Sequence, residues 1–154
     1  MTIDATAIGA GLLGTVPFAR TLGIEFVEVK ADADGVSATV ALPDVEHVHN
    51  HVGGPHAGAL YTLGETASGA VVLAAFGGVL DRATPLAVRA EISYRKLALG
   101  AVTATARLRR PAAEVIAELD AGERPELDVQ VDIVRADGAV SAEMTITWTL
   151  RPNR

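Results

Sequence analysis

Glu65 is the one acidic residue in an otherwise apolar stretch that runs from about Ala57 to Leu80. An ionised carboxylate in such surroundings is costly unless it is paired or hydrogen-bonded. A carboxylate kept there without a partner has the character of a general base or nucleophile. Helical spacing puts Gly58, Thr62, Glu65, Ser68, Gly69 and Val72 on one side of the stretch. That stripe is small and polar, which leaves room for a ligand or another backbone. The competing structural reading pairs Glu65 with an arginine such as Arg89, or exposes it at an interface.

The segment before the stretch reads Asn50-His51-Val52-Gly53-Gly54-Pro55-His56-Ala57-Gly58. Gly53 and Gly54 permit backbone shapes that other residues resist, and Pro55 suits a position near a helix start. The first N–H groups of a helix lack internal partners and carry the positive end of its dipole. Around Ala57 and Gly58 those donors would face an anion or a developing oxyanion, or they would simply be capped. All four histidines lie at 47, 49, 51 and 56. On an extended strand His47, His49 and His51 would face one way as a metal comb. A loop without a fixed carboxylate–histidine pattern lacks the geometry a metal needs, so no metal site is expected.

The elements that would hold these residues follow from periodicity. Residues 4–22 carry scattered apolar positions suited to one or two short helices, and 23–31 read as a strand. Residues 31–35 have turn chemistry. Alternation then marks strands over 36–42, 86–95, 102–108 and 140–150, with another near 127–134 joined to the last through Asp137-Gly138. In the 86–95 strand, Leu86, Val88, Ala90, Ile92 and Tyr94 are expected on one face. A short helix over Ala112–Ala121 ends at Gly122. The order is strand, strand, long helix, four strands. The long helix is apolar nearly all round and must be buried, while an antiparallel sheet with one polar face needs a cover. The fold class is therefore α+β, with the sheet wrapped around the helix.

At 154 residues the chain fits one domain, expected over 1–154 as an N-terminal helical segment (1–22) and a core (23–151). Aromatics are only 4%, so Val, Ala, Leu and Ile build a thin core that a shared interface would help. A net charge of -6 without a basic run argues against nucleic acid as a partner. Glu65 argues against a membrane span at 57–80. The start Met1-Thr2-Ile3-Asp4 lacks the basic and apolar regions of a signal peptide. The absence of cysteine excludes disulfides and fits a reducing compartment. The expected location is cytoplasmic.

The segment from Asn50 to Glu65 resembles the hotdog-fold thioesterase superfamily. It is most similar to the phenylacetate-pathway and 4-hydroxybenzoyl-CoA thioesterase branches and to a related family of unknown function. The family pattern is Asn or Gln, then His-Gly-Gly six residues on, then an acidic residue on the central helix. Asn50, His56-Ala57-Gly58 and Glu65 hold those places, and the strand order agrees from about Gly23 to Leu150. The resemblance implies a hotdog fold and hydrolysis of acyl-CoA, with coenzyme A as part of the substrate and no other cofactor. It makes Glu65 the nucleophile or general base and Ala57 and Gly58 the N–H donors to the thioester carbonyl. Asn50 would position water or thioester, and His56 would orient the loop. Two departures are Ala57 for the usual first glycine, and Gly69 where one branch has a hydroxyl residue, with Ser68 beside it as a substitute. Thr62, Ser68 and Gly69 would line the substrate site, with Arg89, Arg95 and Lys96 near the coenzyme A phosphates. A site between subunits is implied, hence a homodimer or a dimer of dimers.

This chemistry needs few groups. A thiol leaving group has a pKa of about 8.5 and requires little acid assistance, so one carboxylate and one oxyanion site suffice. Three other readings stand beside it: a non-catalytic acyl-binding or assembly protein on the same fold, a hotdog hydratase, and a metal-dependent hydrolase using the histidines. The hydratase pattern needs a histidine downstream at the helix start, and none follows His56.

Overall fold

The computed structural model describes residues 2–154 and is built around one helix. Helix α3 (Ala57–Phe76) is apolar on most sides, and twelve of its twenty residues are buried. Around it curls an antiparallel sheet of seven strands: β1 (Thr2–Ile3), β2 (Glu25–Asp32), β3 (Gly35–Leu42), β4 (Ala83–Tyr94), β5 (Val102–Leu108), β6 (Glu126–Arg135) and β7 (Val140–Pro152). Their spatial order is β1-β2-β3-β5-β6-β7-β4. The two-residue β1, paired through Thr2 and Ile3 to Lys30 and Val29, is an element that the sequence periodicity does not reveal.

The inner faces follow the expected alternation. Val102, Ala104 and Ala106 of β5 are buried, as are Ala142, Met144, Ile146, Trp148 and Leu150 of β7. Close approach of helix and sheet depends on Gly64, where an added Cβ would lie 2.7 Å from the Met144 sulfur. Helices α1 (Ala5–Thr15) and α2 (Pro17–Thr21) pack at the side of α3 left open by the sheet. Asp4 caps α1 by accepting from the Thr6 and Ala7 N–H groups. Helix α4 (Ala112–Asp120) ends as expected before Gly122, at φ 83°.

Strand β4 departs from simple alternation. Its pairing with β7 shifts between Ala87 and Arg89, so Val88 bulges out and is exposed. A bulge adds one residue on one strand and reverses the faces beyond it. Leu86, Ala90 and Ile92 are only half-buried, because β4 is the outer strand of its end of the sheet and has one neighbour.

A buried hydrogen bond ties the helix to the sheet. The Trp148 indole N–H donates to Ser68 Oγ at 3.1 Å, and that hydroxyl donates to the Glu65 carbonyl at 2.7 Å. Removing the acceptor leaves a buried N–H unsatisfied. Ser68→Ala is expected to lower stability by about 1–3 kcal/mol in urea unfolding.

Candidate active site

The loop before α3 is organised by Asn50. Its Oδ1 accepts from the Val52 and Gly54 N–H groups at 3.0 and 3.2 Å, and its Nδ2 donates to the Pro55 carbonyl at 3.4 Å. The Asn50 N–H also donates to the Gly54 carbonyl at 2.7 Å. Gly53 turns the chain at φ 75°. Gly54 is pressed against the 95–100 loop, where a Cβ would fall 2.1 Å from the Ala98 carbonyl oxygen. Asn50 is thus spent on shaping the loop, a different task from the expected hold on water or thioester.

At the start of α3, the His56 ring caps the helix: Nδ1 accepts from the Gly58 N–H at 2.9 Å. This fixes the neutral tautomer with the proton on Nε2. It also corrects the expected pair of donors. The Gly58 N–H is occupied, whereas the Ala57 N–H has no hydrogen-bond partner among the described residues. The free donor belongs to the alanine that replaces the usual glycine. Its methyl does not close the position, since Ala57 is exposed.

Two cavities flank this helix start. One, of about 320 Å³, is lined by Asn50, Ala57 and Leu60 with Tyr94, Arg95 and Lys96. The other, of about 520 Å³, lies across the first turn, between α2, the histidine loop and α3. Gly58 and His56 line the second, Ala57 the first. Tyr94 is a site residue that the alternation pattern hides among strand positions. Its hydroxyl donates to the Ala57 carbonyl at 3.1 Å, tying the end of β4 to the first turn of α3. Burial, and then the nearby Tyr61, push the Tyr94 phenol up.

Glu65 stands two turns further along. The open stripe of α3 is Ala57, Tyr61, Glu65, Gly69 and Leu73, at intervals of four, rather than the Gly58–Thr62–Ser68–Val72 side expected. Thr62, Ser68 and Val72 point into the protein. The Thr62 hydroxyl donates to the Gly58 carbonyl at 2.9 Å, and Ser68 serves Trp148, so neither hydroxyl is free for a substrate. Gly69 lies under α1, its added Cβ 4.0 Å from Leu12. The Glu65 carboxylate makes no ion pair or hydrogen bond among the described residues. Arg89 is not its partner: it donates to Thr147 Oγ1 at 3.3 Å and lines a separate cleft with Arg109, Arg110 and Asp128. That also separates Arg89 from Arg95 and Lys96. Arg95 is shared with Glu143 at 3.1 Å. Burial without a compensating charge pushes the Glu65 carboxyl above the usual carboxylate range.

The histidines do not form a comb. Glu46–Val48 is a 3-10 turn rather than an extended run, and His49 Nε2 pairs with Asp44 at 2.6 Å. Among the described residues, no group of three His, Asp or Glu is placed to hold a metal ion.

A sheet curled round a long central helix is the hotdog arrangement, and solved structures of thioesterase-family proteins share it. Pseudomonas aeruginosa PA5026, a protein of unknown function and probable thioesterase, superposes with a TM-score of 0.84 at 22% identity, over 99% of both chains. A thioesterase family protein from Silicibacter pomeroyi gives 0.73 at 19% identity, over 97% of this chain and 98% of that one. The PaaI protein of the Escherichia coli phenylacetic acid degradation operon gives 0.66 at 17%, over 95% and 92%. At these identities the likeness establishes the fold. The chain belongs to the family described as Domain of unknown function (DUF4442), whose profile matches residues 5–150. None of the curated proteins matches it.

Two predictions follow from these contacts. A carboxyl whose folded-state pKa is raised favours the fold while protonated and disfavours it once ionised, so its penalty grows as pH rises through the raised value. Glu65→Gln should therefore be at least as stable as wild type at pH 7, with the advantage vanishing below the usual carboxylate range, in thermal melts across pH. A structural ion-pair partner would give the opposite sign. Gly54→Ala should displace the loop carrying Asn50, with backbone amide shifts at residues 50–58 in NMR spectra as the readout.

Proposed function

We propose that this protein hydrolyses an acyl-CoA thioester, with Glu65 as the catalytic carboxylate and the Ala57 N–H as the oxyanion donor. The observation that carries the proposal is the Glu65 carboxylate itself: half-buried, unpartnered and raised by desolvation on the open stripe of α3. Such a carboxylate accepts a proton more readily than an exposed one. In the proposed reaction it takes a proton from water as the water oxygen bonds to the carbonyl carbon. The tetrahedral oxyanion faces the Ala57 N–H and the positive end of the α3 dipole. The C–S bond then breaks and the proton held by Glu65 passes to the departing sulfur, leaving a carboxylic acid, the coenzyme A thiol and an ionised Glu65. Arg95 and Lys96, at the rim of the smaller cavity, suit the phosphates of coenzyme A.

A homodimer completes this reading. Ala57 and Glu65 are separated by roughly 12 Å along the helix axis, a gap that a second subunit can bridge. Strand β4 supports it: twelve residues long at the edge of the sheet, with Val88 and Tyr94 exposed. A long unpaired edge is a ready template for another chain. A second reading, a non-catalytic acyl-binding protein, draws on the occupied Gly58 N–H.

Glu65→Gln keeps the shape and removes the base. It should cut acyl-CoA turnover at least ~100-fold in a thiol-release assay, the usual scale for general-base loss. Wild-type turnover in a dimeric, folded variant would overturn the mechanism, and no turnover by wild type across an acyl-CoA panel would favour the binding protein. Light scattering should show a dimer or tetramer at micromolar concentration. A fully active monomer would rule out a shared site.

A further inference from the structure

The larger cavity beside α3 has the size of a small-molecule pocket, at about 520 Å³. Phe18 and Leu22 come to it from α2 and its C-terminal end, Val48 from the histidine loop, and Ala59 and Tyr61 from the first turns of α3. No carboxylate, lysine or arginine lines it. Its polar members are histidines and Thr62, whose hydroxyl is already spent on the Gly58 carbonyl. The smaller cavity has the opposite character, with Arg95 and Lys96 in its wall. Only the first turn of α3 separates the two, with Ala57 on one side and Gly58 on the other. Gly58 adds no side chain to this divide, and a Cβ there would crowd His56 Nδ1 at 3.1 Å. Tyr61, on the wall of the larger cavity, precedes Glu65 by one turn on the same stripe, so the two side chains are neighbours.

We infer that the larger cavity is the acyl-chain subsite, and that it selects apolar acyl groups of medium length over acetyl. The inference rests on the thioesterase reading for the identity of the ligand. It goes further by assigning the two ends of that ligand to two different cavities. An apolar wall stabilises each buried methylene. Phe18, 61% exposed on the surface of a five-residue helix, gains cover only when a chain reaches the rim.

Non-hydrolysable S-alkyl coenzyme A thioethers test this by titration calorimetry on the full-length protein. Affinity should rise about fourfold per methylene while the cavity fills, for a gain of at least ~100-fold from S-ethyl to S-octyl. Leu22→Trp fills the cavity, and it should weaken S-octyl coenzyme A at least ~10-fold while leaving S-ethyl within about twofold. Phe18→Ala, at an exposed position that does not threaten folding, should lower the S-octyl to S-ethyl ratio in the same direction. Flat affinity along the series, equal loss for both thioethers, or a change only in oligomeric state would overturn the assignment, the last marking the cavity as a contact between copies. Chain-length selectivity without hydrolysis of the corresponding thioesters would retain the subsite and discard the catalytic reading. Hydrolysis without chain-length selectivity would do the reverse.

Discussion

The burial of α3 is the constraint on which the rest of the structure depends. A twenty-residue helix that is apolar on most sides cannot lie on a surface. The sheet must wrap it, and small residues at the contact let the strands come near. Gly64 against Met144 is one such point. Wrapping leaves one stripe of the helix outside the sheet, and α1 covers that stripe at Gly69. Ala57 and Tyr61 stay exposed on it and Glu65 half-buried, so the position of the carboxylate follows from the packing of everything else.

The same packing explains why the hydroxyls near Glu65 are hydrogen-bonded internally. A helix this deeply buried has no water to satisfy side-chain polar groups, so each must find an internal acceptor. Thr62 and Thr66 bond back to the carbonyls four residues earlier, and Ser68 joins the Glu65 carbonyl to the Trp148 indole. The Glu65 carboxylate is left without such a partner among the described residues. Its half-open place on the stripe lets water reach it, while burial raises its carboxyl.

Much of this was legible in the sequence. Alternation located β3, β5 and β7 and their inner faces, because each has two strand neighbours, although in β7 Ser141, Thr147 and Thr149 of the other face are buried as well. It was less reliable for β4, where an edge position allows the bulge at Val88 and leaves Ala90 and Ile92 half-buried. The carboxylate was visible as an exception in an apolar run. The side it faces was not, since 100° per residue places both the 58–62–65–69 and the 57–61–65–69 sets within one broad arc, and only the packing of α1 and the sheet separates them. Tyr94 was hidden for a similar reason. Nothing in a strand pattern says that its last residue reaches a helix terminus thirty-seven positions away.

The loop shows how one set of residues can carry both a structural and a chemical burden. Asn50 and Gly54 fix the loop, and His56 fixes the first turn by taking the Gly58 N–H. The Ala57 N–H is left over by those commitments, held in place from the carbonyl side by Tyr94. A donor fixed in this way needs no reorganisation when negative charge develops in front of it, which is the condition under which a hydrogen bond stabilises a transition state most. The alanine in place of glycine is compatible with that task, because a donor on the backbone depends on where the chain runs rather than on the side chain it carries. On the proposed reading, the substitution therefore changes the shape of the wall beside the oxyanion position and not the chemistry directed at it.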